Sequence, residues 1–237
     1  MPGSVLKAGA RKLIYENSPG LFFISIVYIF FATVVFEFSF RIPFGIVLQE
    51  MTNQLAVGEL PDISVVYKGF RPIGLISALL LSLLRPVFEV GYISYCLKTS
   101  RIQPTELKDI FKGFLFFTKI LSIFILTTTI VFLWSLLFII PGIVASLKYR
   151  LAYYILLDDP RKSVFQCITE SRLLMHGRKL DLLIIDISFL GWYLLEIIVI
   201  ILIPVPFTIP VISIWIIPYI GLTRAAFYED QVTYIAV

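Results

Sequence analysis

Residues 134–160 read WSLLFIIPGIVASLKYRLAYYILLDDP, residues 161–179 read RKSVFQCITESRLLMHGRK, and residues 180–196 read LDLLIIDISFLGWYLLE. Two apolar runs meet at Ile140-Pro141-Gly142, where the turn carries no charge. The second run ends at Asp158-Asp159-Pro160, a basic amphipathic segment follows, and a further apolar run departs. This order predicts a membrane hairpin, a helix lying along the interface, and a re-entry into the apolar layer.

Working outward, the whole chain has the same character. Of its 237 residues 59% are hydrophobic and only 15% charged, where a soluble domain carries about a quarter charged. Mean hydropathy is +0.93. The 21 Phe and 12 Tyr suit lipid-facing and interfacial positions. The expected class is an all-α integral membrane protein forming one polytopic domain over 1–237. It has six spans near 21–40, 73–97, 119–140, 143–157, 180–203 and 209–227. A span needs about 20 apolar residues, so 143–157, about 22 Å long at 1.5 Å per residue, is the short one. The run 21–40 is too long for a signal-peptide core and is expected to stay as a helix.

Punctuation refines this. Ser18-Pro19 is placed to cap and start the first span, and Asp159-Pro160 the interfacial helix over 161–176. Gly177 is expected to close that helix, and Gly58 to close an amphipathic helix over 45–57. Gln103–Glu106 opens a second short cytoplasmic helix ending near Gly113. Arg85-Pro86 interrupts the second span, where proline removes a backbone hydrogen bond.

Orientation follows from Lys and Arg in short connections. Thirteen fall on one side, from Lys7, Arg11 and Lys12 through Lys98, Arg101, Lys108 and Lys112 to the 161–179 cluster and Arg224. Only Arg41, Lys68 and Arg71 fall on the other. Both termini are therefore expected in the cytoplasm. The same bias explains the net charge of +4 and pI near 9.0; no basic–aromatic module implies nucleic acid. Cys96 and Cys167 lack metal spacing and read as reduced, and one His176 cannot build a histidine-rich metal site. No cofactor is expected.

Catalytic signatures are missing: there is no HExxH, GxSxG, GxGxxG or phosphate loop. The anomalies are ions within apolar runs, each costing at least about 2.5–3.5 kcal/mol at bilayer depth. Arg85 and Glu89 lie one helical turn apart and can pair. Asp186 falls about 9 Å into its span, where Lys148 or Arg150 of the preceding hairpin can meet it. Glu196 is a second partner for those cations. Arg85, Glu89, Lys148, Arg150, Asp186 and Glu196 thus form a candidate intramembrane polar pocket for a small solute, ion or lipid head group. A competing reading is an accessory subunit. It would use a basic cytoplasmic ledge of Arg161, Lys162, Arg172, Arg178 and Lys179 to hold a protein partner or anionic lipid.

A family likeness rests on an ordered set of motifs. It begins at Trp134 with Ile140-Pro141-Gly142-Ile143, Ala152-Tyr153-Tyr154-Ile155-Leu156, Asp158 and Pro160. Ser171, Gly177, Asp181, Asp186 and Ser188-Phe189-Leu190-Gly191-Trp192 continue it, then Pro218-Tyr219 and Ala226-Phe227-Tyr228. Over Lys98–Tyr228 the chain resembles the bacterial integral membrane family called domain of unknown function 975. That resemblance implies a multi-helix protein of a bacterial cell membrane with no assigned activity. More distantly, the chain is similar to the membrane domain attached to some glycerophosphodiesterases, whose catalytic barrel it lacks. Lys148-Tyr149-Arg150 departs from the family pattern, which has smaller uncharged polar residues there.

Overall fold

The computed structural model describes residues 1–31, 42–58, 60, 72–202 and 211–236. Among them every regular element is helical and no strand occurs. The far half of the 21–40 span, with Glu37 and Arg41, lies outside the described residues, as does the connector Pro204–Phe207.

The chain opens with α1 (Gly3–Glu16), an amphipathic helix not foreseen in the sequence reading. It buries Leu6 and Ala10 and lies against the last helix of the chain. The Lys7 ammonium donates to Ser188 Oγ and sits 4.4 Å over the Phe189 ring. Next comes α2 (Ser18–Ile29), whose cap residue is Asn17, one position before the predicted Ser18, so that Pro19 falls inside the first turn. Then α3 (Ile42–Ala56) ends at Gly58 with φ +82°, as the glycine requires.

Helix α4 (Pro72–Ser100) runs unbroken through Pro86. A 3-10 segment, Leu107–Phe116, returns across it. Two glycines allow that crossing. A Cβ on Gly91 would lie 1.8 Å from the Ile110 carbonyl oxygen, and one on Gly113 would lie 2.0 Å from that of Val87. The two backbones touch.

Helix α5 (Phe117–Leu137) then carries the chain to the hairpin. The turn is made by Phe138 alone, extended at φ −158° and ψ 149°, and α6 (Ile139–Lys148) starts directly after it. This corrects the reading of Pro141-Gly142 as the turn. Pro141 sits in the first helical turn, where its missing N–H had no partner to lose. Gly142 is a packing position: a Cβ there would stand 2.1 Å from Ser135 Oγ. Among the described residues two stretches are long and apolar enough to cross a membrane, Leu107–Leu137 (mean hydropathy 2.3) and Ile139–Asp158 (1.2). Phe132, Leu136, Phe138, Ile139 and Ile140 are all exposed around the hairpin tip.

Two predicted spans are interrupted helices. The stretch 143–157 is split by a turn at 149–151 between α6 and α7 (Ala152–Asp158). The stretch 180–203 is split at Ser188-Phe189 into α9 (Lys179–Ile187) and α10 (Leu190–Leu202). Between them α8 (Val164–Leu174) is capped by Ser163, not Asp159. Ser163 Oγ accepts from Gln166 N–H at 3.3 Å and Gln166 Oε1 accepts from Ser163 N–H at 2.7 Å. Cys167, Ser171 and Met175 form its buried stripe, while Phe165 is 72% exposed. Gly177 ends the segment at φ +79°. The last helix, α11 (Val211–Ala236), continues past the expected limit at residue 227 and takes in the supposed tail.

Ion pairs gather where the short basic connections meet. Arg101 bonds Asp158 (2.8 and 3.0 Å) and Glu229 (2.6 Å). Tyr228 OH donates to the same Asp158 at 2.7 Å. The Asp158 hydrogen bonds hold Arg101 above the usual arginine value against the opposing effect of burial. Lys98 and Lys112 share Asp109, both at 2.8 Å. One end of the helix assembly is thus stitched by charge, while the hairpin at 132–140 is greasy.

The crossing at Gly91 yields a direct prediction. Gly91→Ala is expected to cost about 3 kcal/mol, the upper part of the ordinary overpacking range, because the obstacle is backbone. Gly9→Ala, facing open space within α1, is expected to gain roughly 0.5–1 kcal/mol from helix propensity. Thermal unfolding of the detergent-solubilised variants measures both.

Candidate functional site: a charged, tyrosine-lined cavity

A cavity of about 590 Å³ lies between α2, α4, α5, α6, the 149–151 turn, α7, α10 and α11. Its polar wall is made by Arg85, Glu89, Arg150 and Arg224, with Thr127, Thr128 and Ser146. Six tyrosines complete it: Tyr28, Tyr92, Tyr149, Tyr153, Tyr154 and Tyr193. Tyr28 and Tyr92 stack at 4.6 Å, and Tyr92 OH is held 3.0 Å from Ser25 Oγ.

The turn at 149–151 is what delivers Tyr149 and Arg150 to this space. Breaking a helix frees backbone groups that must find partners away from water. Ser171, fully buried on α8, supplies them: its Oγ donates to the Lys148 carbonyl at 2.9 Å and accepts the Leu151 N–H at 3.2 Å. One hydroxyl bridges the gap.

Arg224 arrives by close packing. A Cβ on Gly221 would meet Cys96 Sγ at 2.8 Å and Tyr92 Cε1 at 2.9 Å, so α11 lies tight on α4 and its next turn carries Arg224 into the wall. There Asp186 Oδ1 accepts from Arg224 Nη2 at 2.8 Å and Nε at 3.1 Å. Its other oxygen accepts from Arg150 Nη2 at 3.4 Å. Asp186 therefore joins α9, the turn and α11.

Of the predicted pocket, Arg85, Glu89 and Arg150 share the cavity and Asp186 is bonded to its wall. Lys148 and Glu196 do not line it. Lys148 contributes a backbone carbonyl to Ser171, while Glu196 is buried and accepts from Ser213 Oγ at 2.7 and 2.9 Å. Glu196 is thus no partner for the cations of α6. The expected Arg85–Glu89 pair is also unmade: among the described residues neither side chain has an ion pair or hydrogen bond. Sequence reasoning missed Arg224, which it counted as a loop cation. No simple signal marked it, because Pro218 and Gly221 lie inside this helix and read as breaks.

The ledge residues have other engagements. Arg161 pairs with Asp159 at 3.1 Å, holding that carboxyl below its ordinary range. Lys162 reaches Glu170 at 2.6 Å, and this bond raises its pKa. Arg178 lies 2.6 Å from Asp181 and 3.0 Å from Asp230. Arg172 and Lys179 have no acidic partner among the described residues.

Residues 136–233 match the model of a family described as a protein of unknown function, DUF975. The match runs from the hairpin into the last helix and covers under half of the chain. That region supplies the hairpin tip, Ser171, Asp186, Arg150 and Arg224, whereas Arg85, Glu89 and Tyr28 come from the chain before it. No curated protein and no solved structure matches the chain, so the glycerophosphodiesterase likeness gains no support.

Ser171→Ala is expected to strand the Lys148 carbonyl and the Leu151 N–H together. With each unmatched buried group costing about 1–3 kcal/mol, the variant should lose at least about 2 kcal/mol. Ser122→Ala, whose hydroxyl is exposed and bonds only its own helix, should lose little. Chemical denaturation of the purified proteins compares them.

Proposed function

We propose that this is a non-enzymatic polytopic membrane protein whose cavity binds or passes a small solute, ion or lipid head group. In this reading six spans, two of them interrupted, cross the bilayer near 21–40, 73–97, 119–140, 143–157, 180–203 and 209–227. Both termini and the ion-paired end face the cytoplasm. The observation that carries the reading is the cavity: three guanidinium groups and a carboxylate, supplied by α4, the 149–151 turn and α11, converge on one space beside apolar surfaces. Charges at such depth are expensive and face interior, water-filled paths in membrane proteins. The volume falls in the usual range for ligand sites, about 300–1,000 Å³.

Support for the membrane placement is the run of exposed large apolar side chains on α5 and α6, from Phe132 to Ile143. Discontinuous helices bordering a polar cavity also fit a solute site near the midplane. The alternative, an accessory subunit holding a partner or anionic lipid on the 161–179 ledge, draws less support. Three of its five cations are already paired within the chain.

Single cysteines placed in a Cys96→Ala/Cys167→Ala background test this, since both native thiols are buried. Thr128→Cys, on the cavity wall, should react with a small water-soluble thiol reagent in intact membranes. Ile125→Cys, on the outer face of the same helix, should not. Lys12→Cys, Gln103→Cys and Arg161→Cys should react from one side of the membrane and Asn53→Cys from the other. A silent Thr128→Cys would refute the wet cavity, and a reactive Ile125→Cys would refute the span.

A further inference from the structure

The cavity holds two opposite charges that leave each other alone. Arg85 and Glu89 stand four residues apart on α4, a spacing that puts their Cβ atoms about 6 Å apart, and both line the same space. Neither has an ion pair or hydrogen bond among the described residues, although an i,i+4 pair of this kind forms readily. The third and fourth charges of the wall, Arg150 and Arg224, are joined through Asp186. What remains, among the described residues, is one guanidinium and one carboxylate without an ionic partner, and a ring of tyrosines.

That set is incomplete for a simple anion, because Glu89 would repel it, and equally for a simple cation, because three arginines would. We infer that the cavity takes a zwitterion: a ligand with an ammonium group for Glu89 and a phosphate or carboxylate for Arg85. The five fixed N–H donors of a guanidinium match either oxyanion. The tyrosine faces add cation–π attraction for the ammonium, and Tyr28 lines the same cavity as both charges. An aminophospholipid head group and a free amino acid or phosphoamine share this chemistry. The inference rests on the cavity being the binding site proposed above.

Calorimetric titration of the full chain in a non-ionic maltoside detergent tests it with four probes. These are dihexanoylphosphatidylethanolamine, dihexanoylphosphatidylglycerol, free phosphoethanolamine and alanine. A zwitterion should bind saturably, at least tenfold tighter than the purely anionic phosphatidylglycerol. Preference for the ethanolamine lipid over the two soluble probes assigns a lipid source, and the reverse assigns a soluble one. Glu89→Gln and Arg85→Gln should each weaken the zwitterion at least tenfold, while Glu89→Gln leaves or improves phosphatidylglycerol binding. Equal or tighter phosphatidylglycerol binding by the unmodified protein would overturn the zwitterion while leaving the pocket standing. Unchanged zwitterion affinity in a folded Glu89→Gln variant would overturn it too. If no probe binds, the inference fails; a silent Thr128→Cys alongside would take the pocket reading with it.

Discussion

Asp186 stands between two guanidinium groups, and much of this architecture follows from the need to keep it there. An isolated carboxylate in an apolar helix is among the costliest residues a membrane segment can hold, and a buried arginine is no better. Brought together they offset much of each other's desolvation, but only with close geometry. Here the geometry joins α9, the 149–151 turn and α11. Moving any of the three by one residue of register separates the charges.

The second constraint is backbone. An uninterrupted α6–α7 helix would satisfy its own hydrogen bonds; the turn needs Ser171. That dependence couples the surface helix α8 to the cavity, since Ser171 lies on the same stripe as Cys167 and Met175. The basic segment is thereby more than a ledge: its buried face repairs the break that positions Arg150. Small residues act in the same manner elsewhere, with Gly221 admitting α11 to α4 and the Gly91–Gly113 crossing fixing the 3-10 segment.

The all-helical class, the apolar runs, the closing glycines at 58 and 177 and the gathering of Arg85, Glu89, Arg150 and Asp186 were legible in the sequence. They depend on composition, periodicity and the cost of buried charge, all of which are local. The interruptions at 149–151 and 188–189 were not legible, because apolar residues fill both sides and no proline marks either. Their stability comes from Ser171 and from Ser188, which lies between the Ile185 carbonyl and the Lys7 ammonium. Helix α1 escaped because its short apolar stripe sits among Lys7, Arg11 and Lys12, which look like a solvated leader. Arg224 was misjudged because it was counted with the cations of the connections although it falls inside the 209–227 span. The Glu196 partner was misassigned because spacing cannot reveal that α11 places Ser213 beside it.

The most direct test of the account is a double-mutant cycle on Asp186 and Arg224, with Asp186→Asn and Arg224→Gln compared singly and together by unfolding in detergent. Asp186→Asn strands Arg224, and Arg224→Gln leaves Asp186 only the longer 3.4 Å contact with Arg150, so both should destabilise. The double variant should recover part of that loss, leaving a coupling energy of at least about 1.5 kcal/mol. Strict additivity would mean that the two charges do not sustain one another, and the interior organised around them would have to be abandoned.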